Sequence, residues 1–264
     1  MTPDRLHAVR GVLLDLDGTL YEDDRPIPGA VDAVRAVRGA GRAVRFVTNT
    51  SRRPRRDVLA RLEAMGFAAT HEELITAPVA AARWLLDAGL RRVALCLPDA
   101  TLEDFEGLEP DLDHPEAVVV GDLGADWTYD LLTHAFGWLM DGAQLVAIQK
   151  NRYWRTAGGL ALDAGPFVAA LEFAAGVEAT IVGKPSAAFF TAAAGSAGLR
   201  CEDVLMVGDD VRGDVAGAQA AGCLGALVRT GKFRPDDVRA HRPDLVLDGV
   251  AALPAALGIA DAEP

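Results

Sequence analysis

The stretch VLLDLDGTL, residues 12–20, joins a short apolar run to two aspartates and a glycine. The run at 12–14 predicts a buried strand, and Asp15 and Asp17 follow at its carboxyl end. In an open parallel sheet, ligands bind beyond the carboxyl ends of the strands. Two carboxylates this close repel each other unless a cation neutralises them or one of them holds a proton. Gly18 then allows the backbone to approach a bound group closely.

Strand-like and helix-like segments alternate along almost the whole chain. This alternation predicts the α/β class, with parallel sheets covered by helices. The predicted strands are 12–14, 44–47, 93–97, 117–120, 145–148, 179–182, 204–207, 224–228 and 245–247. The predicted helices are 29–40, 54–66, 78–88, 126–140, 167–175, 186–197 and the segment that ends at 222.

The composition is that of an ordinary globular protein and excludes several classes of partner. The chain has 264 residues and a net charge of −12, which disfavours nucleic acid because phosphate backbones require basic surfaces. The sequence contains no long apolar stretch, so we expect no membrane partner and a cytoplasmic location. The three cysteines lack metal-binding spacing, which agrees with a reducing compartment.

Two further predicted strands end in residues suited to phosphate. Thr48 and Asn49 follow the strand at 44–47, where a hydroxyl and exposed N–H groups can hold phosphate oxygens. Thr48 alone is more commonly a helix cap. Lys184 follows the strand at 179–182, between a glycine and a proline, and could neutralise a transferring phosphoryl group. An isolated lysine is as often a solvated surface residue.

A second acidic cluster, GDDVRGD at 208–214, follows the strand at 204–207. Acidic residues in the first turn of a helix often serve only as caps or dipole partners. If Asp209 and Asp15 converge on the same sheet edge, a hard cation is the simplest explanation. Magnesium fits because it accepts a few carboxylates together with water and phosphate oxygens.

The four motifs DLDGTL, TN, GKP and GDDVRGD together resemble those of the haloacid dehalogenase superfamily of phosphatases, in the same order. The large insertion between the second and third motifs resembles the C2-type cap of class IIA members. The segment 147–185 is similar to the group containing phospholysine phosphohistidine inorganic pyrophosphate phosphatase. The resemblance implies a Rossmann-like, doubly wound core at 1–77 plus 179–264, with an inserted α/β cap at 78–178.

The resemblance also implies residue roles. Asp15 would be the nucleophile that forms an aspartyl-phosphate, and Asp17 would act as general acid and then general base. Mg²⁺ would bind the carboxylates of Asp15 and Asp209 and the backbone carbonyl of Asp17. Asp210 and Asp214 would orient these ligands without binding the ion directly.

Gly18, Thr48 and Asn49 would hold the phosphoryl oxygens, and Lys184 would balance their charge. The activity implied is hydrolysis of small phosphorylated molecules, with pyrophosphate and phosphoamidates as further candidates. Two other functions remain open: a phosphotransferase or phosphomutase that uses the same intermediate, and a non-catalytic phosphate-binding module. A metal-dependent glycosyltransferase with a DxD motif is a more distant alternative, because it would leave Lys184 and the second acidic cluster unexplained.

The cap offers candidates for recognition of the leaving group. These are Lys150, Arg152, Tyr153, Trp154 and Asp163, and for each of them a purely structural role in the cap is at least as common. By analogy with relatives, we also expect a possible homodimer formed through the cap.

Overall fold

The computed structural model describes residues 3–156 and 158–259, and the side chains at 3–4, 154–156 and 240 lie outside this description. The chain divides into two compact units. Unit 1 comprises Met1–Thr48, Arg56–Ile75 and Lys184–Pro264, and unit 2 comprises Asn49–Arg55 and Thr76–Gly183. Among the described residues, no helix combines the length and apolar character that crossing a bilayer requires.

Unit 1 contains a sheet of six strands within the described residues. The strands are β1 (Gly11–Asp15), β4 (Ala43–Thr48), β5 (Leu74–Thr76), β13 (Val204–Gly208), β14 (Leu224–Val228) and β15 (Leu245–Leu247). Their order across the sheet is β15-β14-β13-β1-β4-β5. β1 pairs in parallel with both β13 and β4, so it lies near the middle of the sheet. Every residue of β1 and β13 is buried, as expected for central strands covered on both faces.

The described part of unit 1 also contains helices and a short hairpin. The hairpin consists of β2 (Tyr21–Glu22) and β3 (Arg25–Pro26), and the helices are α1 (Pro3–His7), α2 (Ala30–Gly39), α3 (Arg55–Ala64), α7 (Ala187–Ser196), α8 (Gly217–Ala220), α9 (Pro235–His241) and α10 (Leu253–Ala256). α2 shows why these segments are helical. Its apolar residues recur with helical spacing, and Ala30, Ala33, Val34 and Val37 are all buried.

Unit 2 has its own sheet of five strands in the described part of the chain. The strands are β6 (Arg92–Cys96), β7 (Glu109–Pro110), β8 (Ala117–Val120), β9 (Gln144–Ala147) and β12 (Thr180–Ile181), in the order β12-β9-β8-β6-β7. All four neighbouring pairs run parallel. The helices are α4 (Ala77–Asp87), α5 (Tyr129–Met140) and α6 (Ala164–Ala175), and β10 (Tyr153–Thr156) pairs with β11 (Gly159–Leu162).

The α/β prediction is confirmed, because both units combine parallel sheets with helices. Several local details differ from the sequence prediction, and the strands β5 and β7 and the β2–β3 hairpin, all two or three residues long, were not predicted. The β10–β11 hairpin was not predicted, since two four-residue strands carry little pattern of their own and depend on pairing with each other. The helix predicted from 126 begins at Tyr129, where the Thr128 side chain accepts a hydrogen bond from the Leu131 N–H. The segment after β13 first winds as a π-helix, Val211–Ala216.

Candidate active site

Two acidic residues lie at adjacent strand tips in unit 1. β1 ends at Asp15, and Asp209 directly follows the last residue of β13. The two strands pair in parallel, with Leu14 opposite Val207. Because paired strands lie about 5 Å apart, their carboxyl ends carry both aspartates to one edge of the sheet. The sequence therefore predicted the placement of these two residues correctly.

Lys184 forms a buried ion-pair bridge at this edge. Its Nζ lies 2.5 Å from Asp15 Oδ1 and 2.7 Å from Asp214 Oδ1, and all three residues are buried. Burial by itself would lower the pKa of the Lys184 ammonium, but the charges of Asp15 and Asp214 outweigh it and raise this pKa. Lys184 is therefore charged over the whole physiological pH range.

The two oxygens of the buried Asp209 carboxylate differ in their contacts. Its Oδ2 accepts a hydrogen bond from the Lys232 N–H at 2.7 Å, whereas its Oδ1 has no hydrogen-bond partner among the described residues. Burial, followed by the charge of Asp15, raises the pKa of Asp209 to about 6. An orphaned carboxylate oxygen of this kind is costly unless a cation or water satisfies it.

A metal ion would satisfy that oxygen. Asp15, Asp209 and Asp214 each offer a carboxylate oxygen, and these atoms all lie within 4.8 Å of one another. The donor set consists of hard oxygens, which suits Mg²⁺. Both oxygens of Asp214 already have protein partners, because Oδ1 contacts Lys184 and Oδ2 accepts from the Asp210 N–H at 3.1 Å. Burial, opposed by Lys184 and reinforced by Asp15, raises the pKa of Asp214 to about 7.

Asp17 differs from Asp15 in its surroundings. Its side chain is 65% exposed, and it lies 3.8 Å from Arg61 Nη1 and 3.5 Å from the Tyr21 hydroxyl. The pKa of Asp17 is nevertheless raised. The larger cause is the loss of solvation beside the surrounding protein, and the smaller cause is the negative charge of Asp15. Arg61 acts in the opposite direction and limits the rise. A carboxyl group with a raised pKa is suited to donate a proton.

The remaining core-motif residues lie where the strand ends place them. Gly18 adopts φ +83°, which favours glycine, and Thr48 is the buried last residue of β4, with Asn49 directly after it. Asp210 accepts hydrogen bonds from the N–H groups of Arg212 and Gly213 at 3.0 and 2.9 Å. Burial would raise the pKa of Asp210, but these hydrogen bonds and Lys232 lower it. Asp210 thus forms the cap of the helical segment that follows.

The predicted cap candidates lie in unit 2 and have varied surroundings. Lys150 pairs with Glu172 at 2.7 Å, and Arg152 and Tyr153 are exposed. Asp163 is buried and accepts hydrogen bonds from the Ala164 N–H, at the start of α6, and from Gln149. The side chain of Trp154 lies outside the described residues. Lys150 and Asp163 thus have structural contacts, and the recognition role of all five residues stays a prediction.

Three residues of this sheet edge were missed by the sequence analysis. Arg61 approaches Asp17, Thr230 donates to the Gly18 carbonyl at 2.5 Å, and Lys232 contacts both Asp209 and Asp210. One signal was available for Lys232. It is one of only three lysines in a chain that otherwise uses arginine, and it follows the strand β14. Arg61 lies within α3 and has no comparable signal.

Comparisons with known proteins identify the family of this chain. Residues 12–109 match the family model described as haloacid dehalogenase-like hydrolase, and residues 181–253 match one described as HAD-hydrolase-like. The chain is 44% identical to human haloacid dehalogenase-like hydrolase domain-containing protein 2 over 89% of this chain and 90% of that protein. It is 39% identical to human phospholysine phosphohistidine inorganic pyrophosphate phosphatase, over 93% and 91% of the two chains.

Solved structures share the fold of this chain. A 4-nitrophenylphosphatase from Thermotoga maritima superposes with a TM-score of 0.89 at 28% identity, covering 96% of this chain and 99% of that one. A glycerol phosphate phosphatase from Mycobacterium tuberculosis, solved with magnesium, gives a TM-score of 0.84 at 33% identity, covering 94% and 77%. These matches confirm the predicted core with an inserted cap and the predicted phosphatase activity. The chain belongs to the haloacid dehalogenase-like hydrolases and is a phosphatase of that family.

Proposed function

We propose that this phosphatase hydrolyses small phosphorylated molecules in the presence of Mg²⁺ through an aspartyl-phosphate on Asp15. One observation carries the proposal: Lys184 bridges Asp15 and Asp214, while the buried Asp209 Oδ1 beside them has no hydrogen-bond partner among the described residues. This combination of a fixed cation and an orphaned carboxylate oxygen suits a phosphoryl group and a divalent ion together.

The chemistry follows from the different environments of the two aspartates. Asp15 attacks phosphorus, and the bond to the leaving oxygen breaks as Asp17 donates its proton. Asp17, now ionised, takes a proton from the water that attacks the phosphorus of the aspartyl-phosphate. This attack releases phosphate and regenerates the Asp15 carboxylate. Lys184, Gly18, Thr48 and Asn49 hold the phosphoryl oxygens, so that positioning and charge stabilisation supply most of the rate enhancement.

The Asp15 and Asp209 carboxylates and the Asp17 backbone carbonyl would hold Mg²⁺, which supplies positive charge that stabilises the phosphoryl group. Asp210 and Asp214 would orient these ligands through their contacts. We assign the catalytic core to residues 1–77 plus 179–264 and the C2-type cap to residues 78–178. Lys150, Arg152, Tyr153, Trp154 and Asp163 remain the proposed recognition residues of the cap.

The proposal is tested by phosphate release from p-nitrophenyl phosphate, with Mg²⁺ and with chelator. Asp15→Asn removes the nucleophilic oxygen and is expected to abolish turnover. Asp32→Asn is the matched control, because Asp32 is an exposed residue of α2 and its carboxylate pairs with the exposed Arg35. Turnover by pure Asp15→Asn enzyme at the control rate would rule out the nucleophile assignment.

Pyrophosphate and phosphoamidates are the second group of candidate substrates. They are supported by the 39% identity to a relative whose name includes phospholysine, phosphohistidine and inorganic pyrophosphate. A metabolite panel that includes these compounds and common phosphomonoesters would rank them by kcat/KM.

Transfer of phosphate to an added alcohol without release of free phosphate would favour the phosphotransferase alternative. A cytoplasmic location, a homodimer through the cap and the absence of nucleic-acid or membrane partners stay predictions of the sequence.

A further inference from the structure

The loop at residues 230–232, directly after β14, contacts the DLDGT segment and the second acidic cluster at the same time. The Thr230 hydroxyl donates to the Gly18 carbonyl at 2.5 Å. Two residues later, the Lys232 N–H donates to Asp209 Oδ2 at 2.7 Å. None of the four motifs includes this loop, although its contacts reach two of them.

Close packing of glycines accompanies these hydrogen bonds. Gly18 and Gly231 both adopt positive φ, +83° and +60°. A Cβ atom added to either glycine would overlap Asp209 Oδ2. Asp209 Oδ2 is therefore enclosed between two glycine backbones and the Lys232 N–H. Any side chain at either glycine would push the carboxylate out of this position.

This enclosure leaves the two oxygens of Asp209 in different states. Oδ2 accepts a hydrogen bond from the Lys232 N–H of the loop. Oδ1 is buried and has no hydrogen-bond partner among the described residues. The carboxylate can therefore offer one oxygen to a cation, in one orientation. A second effect concerns the backbone of Gly18, which directly follows the Asp17 carbonyl. The Gly18 N–H donates to the Tyr21 carbonyl at 2.8 Å and its carbonyl accepts from Thr230, so the backbone is held on both sides of Gly18.

We propose that the 230–232 loop is a positioning element of the metal site. The Thr230 hydroxyl holds the Gly18 carbonyl, one peptide after the Asp17 carbonyl, and the Lys232 N–H holds the Asp209 carboxylate, so that the site keeps the orientation in which it binds Mg²⁺. The inference rests on the magnesium site of the proposed function. Residues that orient metal ligands commonly change metal affinity by 10- to 100-fold when they are altered.

The test measures Mg²⁺ binding directly, by isothermal titration calorimetry on the full chain without substrate. Thr230→Val removes the hydroxyl with little change in shape, and the Kd for Mg²⁺ is expected to rise by about tenfold or more. Thr230→Ser restores the hydroxyl and is expected to restore the affinity to within about threefold of the original chain. Thr191→Val is the matched control, since Thr191 is an exposed residue of α7 whose hydroxyl donates to the Ala187 carbonyl and lies 3.7 Å from Cys201 Sγ.

Activity provides a second readout. In Thr230→Val, the Mg²⁺ concentration for half-maximal activity should rise, while kcat at saturating Mg²⁺ should change much less. If the valine variant does not fold, Thr230→Ala provides the same test. Alanine also lacks the hydroxyl, and it does not place a methyl group of valine against Gly18. A Kd equal to that of the original chain in a folded variant without the hydroxyl would overturn the positioning role. Failure of the original chain to bind Mg²⁺ would instead overturn the magnesium site of the proposed function.

Discussion

Lys184 Nζ lies 2.5 Å from Asp15 Oδ1, although 169 positions separate the two residues in the sequence. The same ammonium lies 2.7 Å from Asp214 Oδ1. This arrangement places one positive charge between two carboxylates that would otherwise repel each other, in a buried position where such repulsion is strong. The ion pair thus supports both the folded state and the proposed phosphate site.

The first prediction concerns this bridge. Lys184→Met leaves Asp15 and Asp214 buried without their counter-charge, and we expect unfolding free energy to fall by about 3–5 kcal/mol. Lys150→Met is the matched control, because the partly exposed pair of Lys150 with Glu172 is expected to contribute about 1 kcal/mol. Urea unfolding in chelator measures both changes. Equal losses of unfolding free energy in the two variants would show that the Lys184 bridge stabilises the fold no more than the Lys150 pair does.

The second prediction concerns the proton on Asp17. Because the pKa of Asp17 is raised, a fraction of the molecules keeps this carboxyl protonated at higher pH. The step that expels the leaving group should therefore slow as pH rises through that pKa. Arg61 lowers this pKa, and Arg61→Met should therefore move the decline in single-turnover rate to higher pH. Arg56→Met, a change in the same helix at a residue that pairs with Asp57, should leave the profile in place. A shift to lower pH in Arg61→Met would contradict the electrostatic assignment.

The third prediction distinguishes substrates by their leaving groups. Asp17→Asn cannot protonate a leaving oxygen, and an alkoxide needs this proton far more than p-nitrophenolate does. We expect kcat/KM for an alkyl phosphate to fall by about 10²- to 10⁴-fold, and that for p-nitrophenyl phosphate to fall much less. Steady-state assays with both substrates on the same enzyme preparation measure the ratio. A uniform loss would indicate a positioning role for Asp17 instead.

The fourth prediction concerns pH and metal together. Burial raises the pKa of Asp209 to about 6 and that of Asp214 to about 7, from an ordinary value of 3.8. Without metal, these two carboxyls bind more protons in the folded than in the unfolded state between about pH 4 and pH 7, so their contribution to stability falls as pH rises through this window. Mg²⁺ favours the ionised carboxylates, and it should raise Tm more at pH 7.5 than at pH 5. Thermal unfolding with Mg²⁺ and with chelator tests this, and equal increases at both pH values would refute it.

The fifth prediction uses two glycines. Gly18→Ala introduces a Cβ that overlaps Asp209 Oδ2 at a positive φ, and we expect at least about tenfold weaker Mg²⁺ binding. Gly39 is the matched control, because it ends α2 and a Cβ there would meet nothing within 4 Å. Gly39→Ala should leave Mg²⁺ affinity unchanged and leave stability unchanged or slightly increased. Calorimetric titration of both variants measures the difference.

Much of the fold and of the proposed site was predictable because the signals are local. Asp15 and Asp209 each follow an apolar strand within one or two residues, and the carboxyl ends of parallel strands share one sheet edge. Helix α2 was predictable from its apolar spacing for the same reason. Arg61 and the β10–β11 hairpin were not predictable, because neither follows a recognisable strand end or shows a strong period.

The sequence by itself determined the α/β class, the order of the four motifs and the residue types that carry the proposed chemistry. Only the tertiary structure decided which carboxylate oxygens of the site have protein partners. It places Lys184 between Asp15 and Asp214, and it encloses Asp209 Oδ2 while leaving Oδ1 without a hydrogen-bond partner among the described residues. The physical reason is that motifs and periodicity act over a few residues. Contacts such as Thr230 with Gly18, 212 positions apart, depend on strand order and register in the assembled sheet.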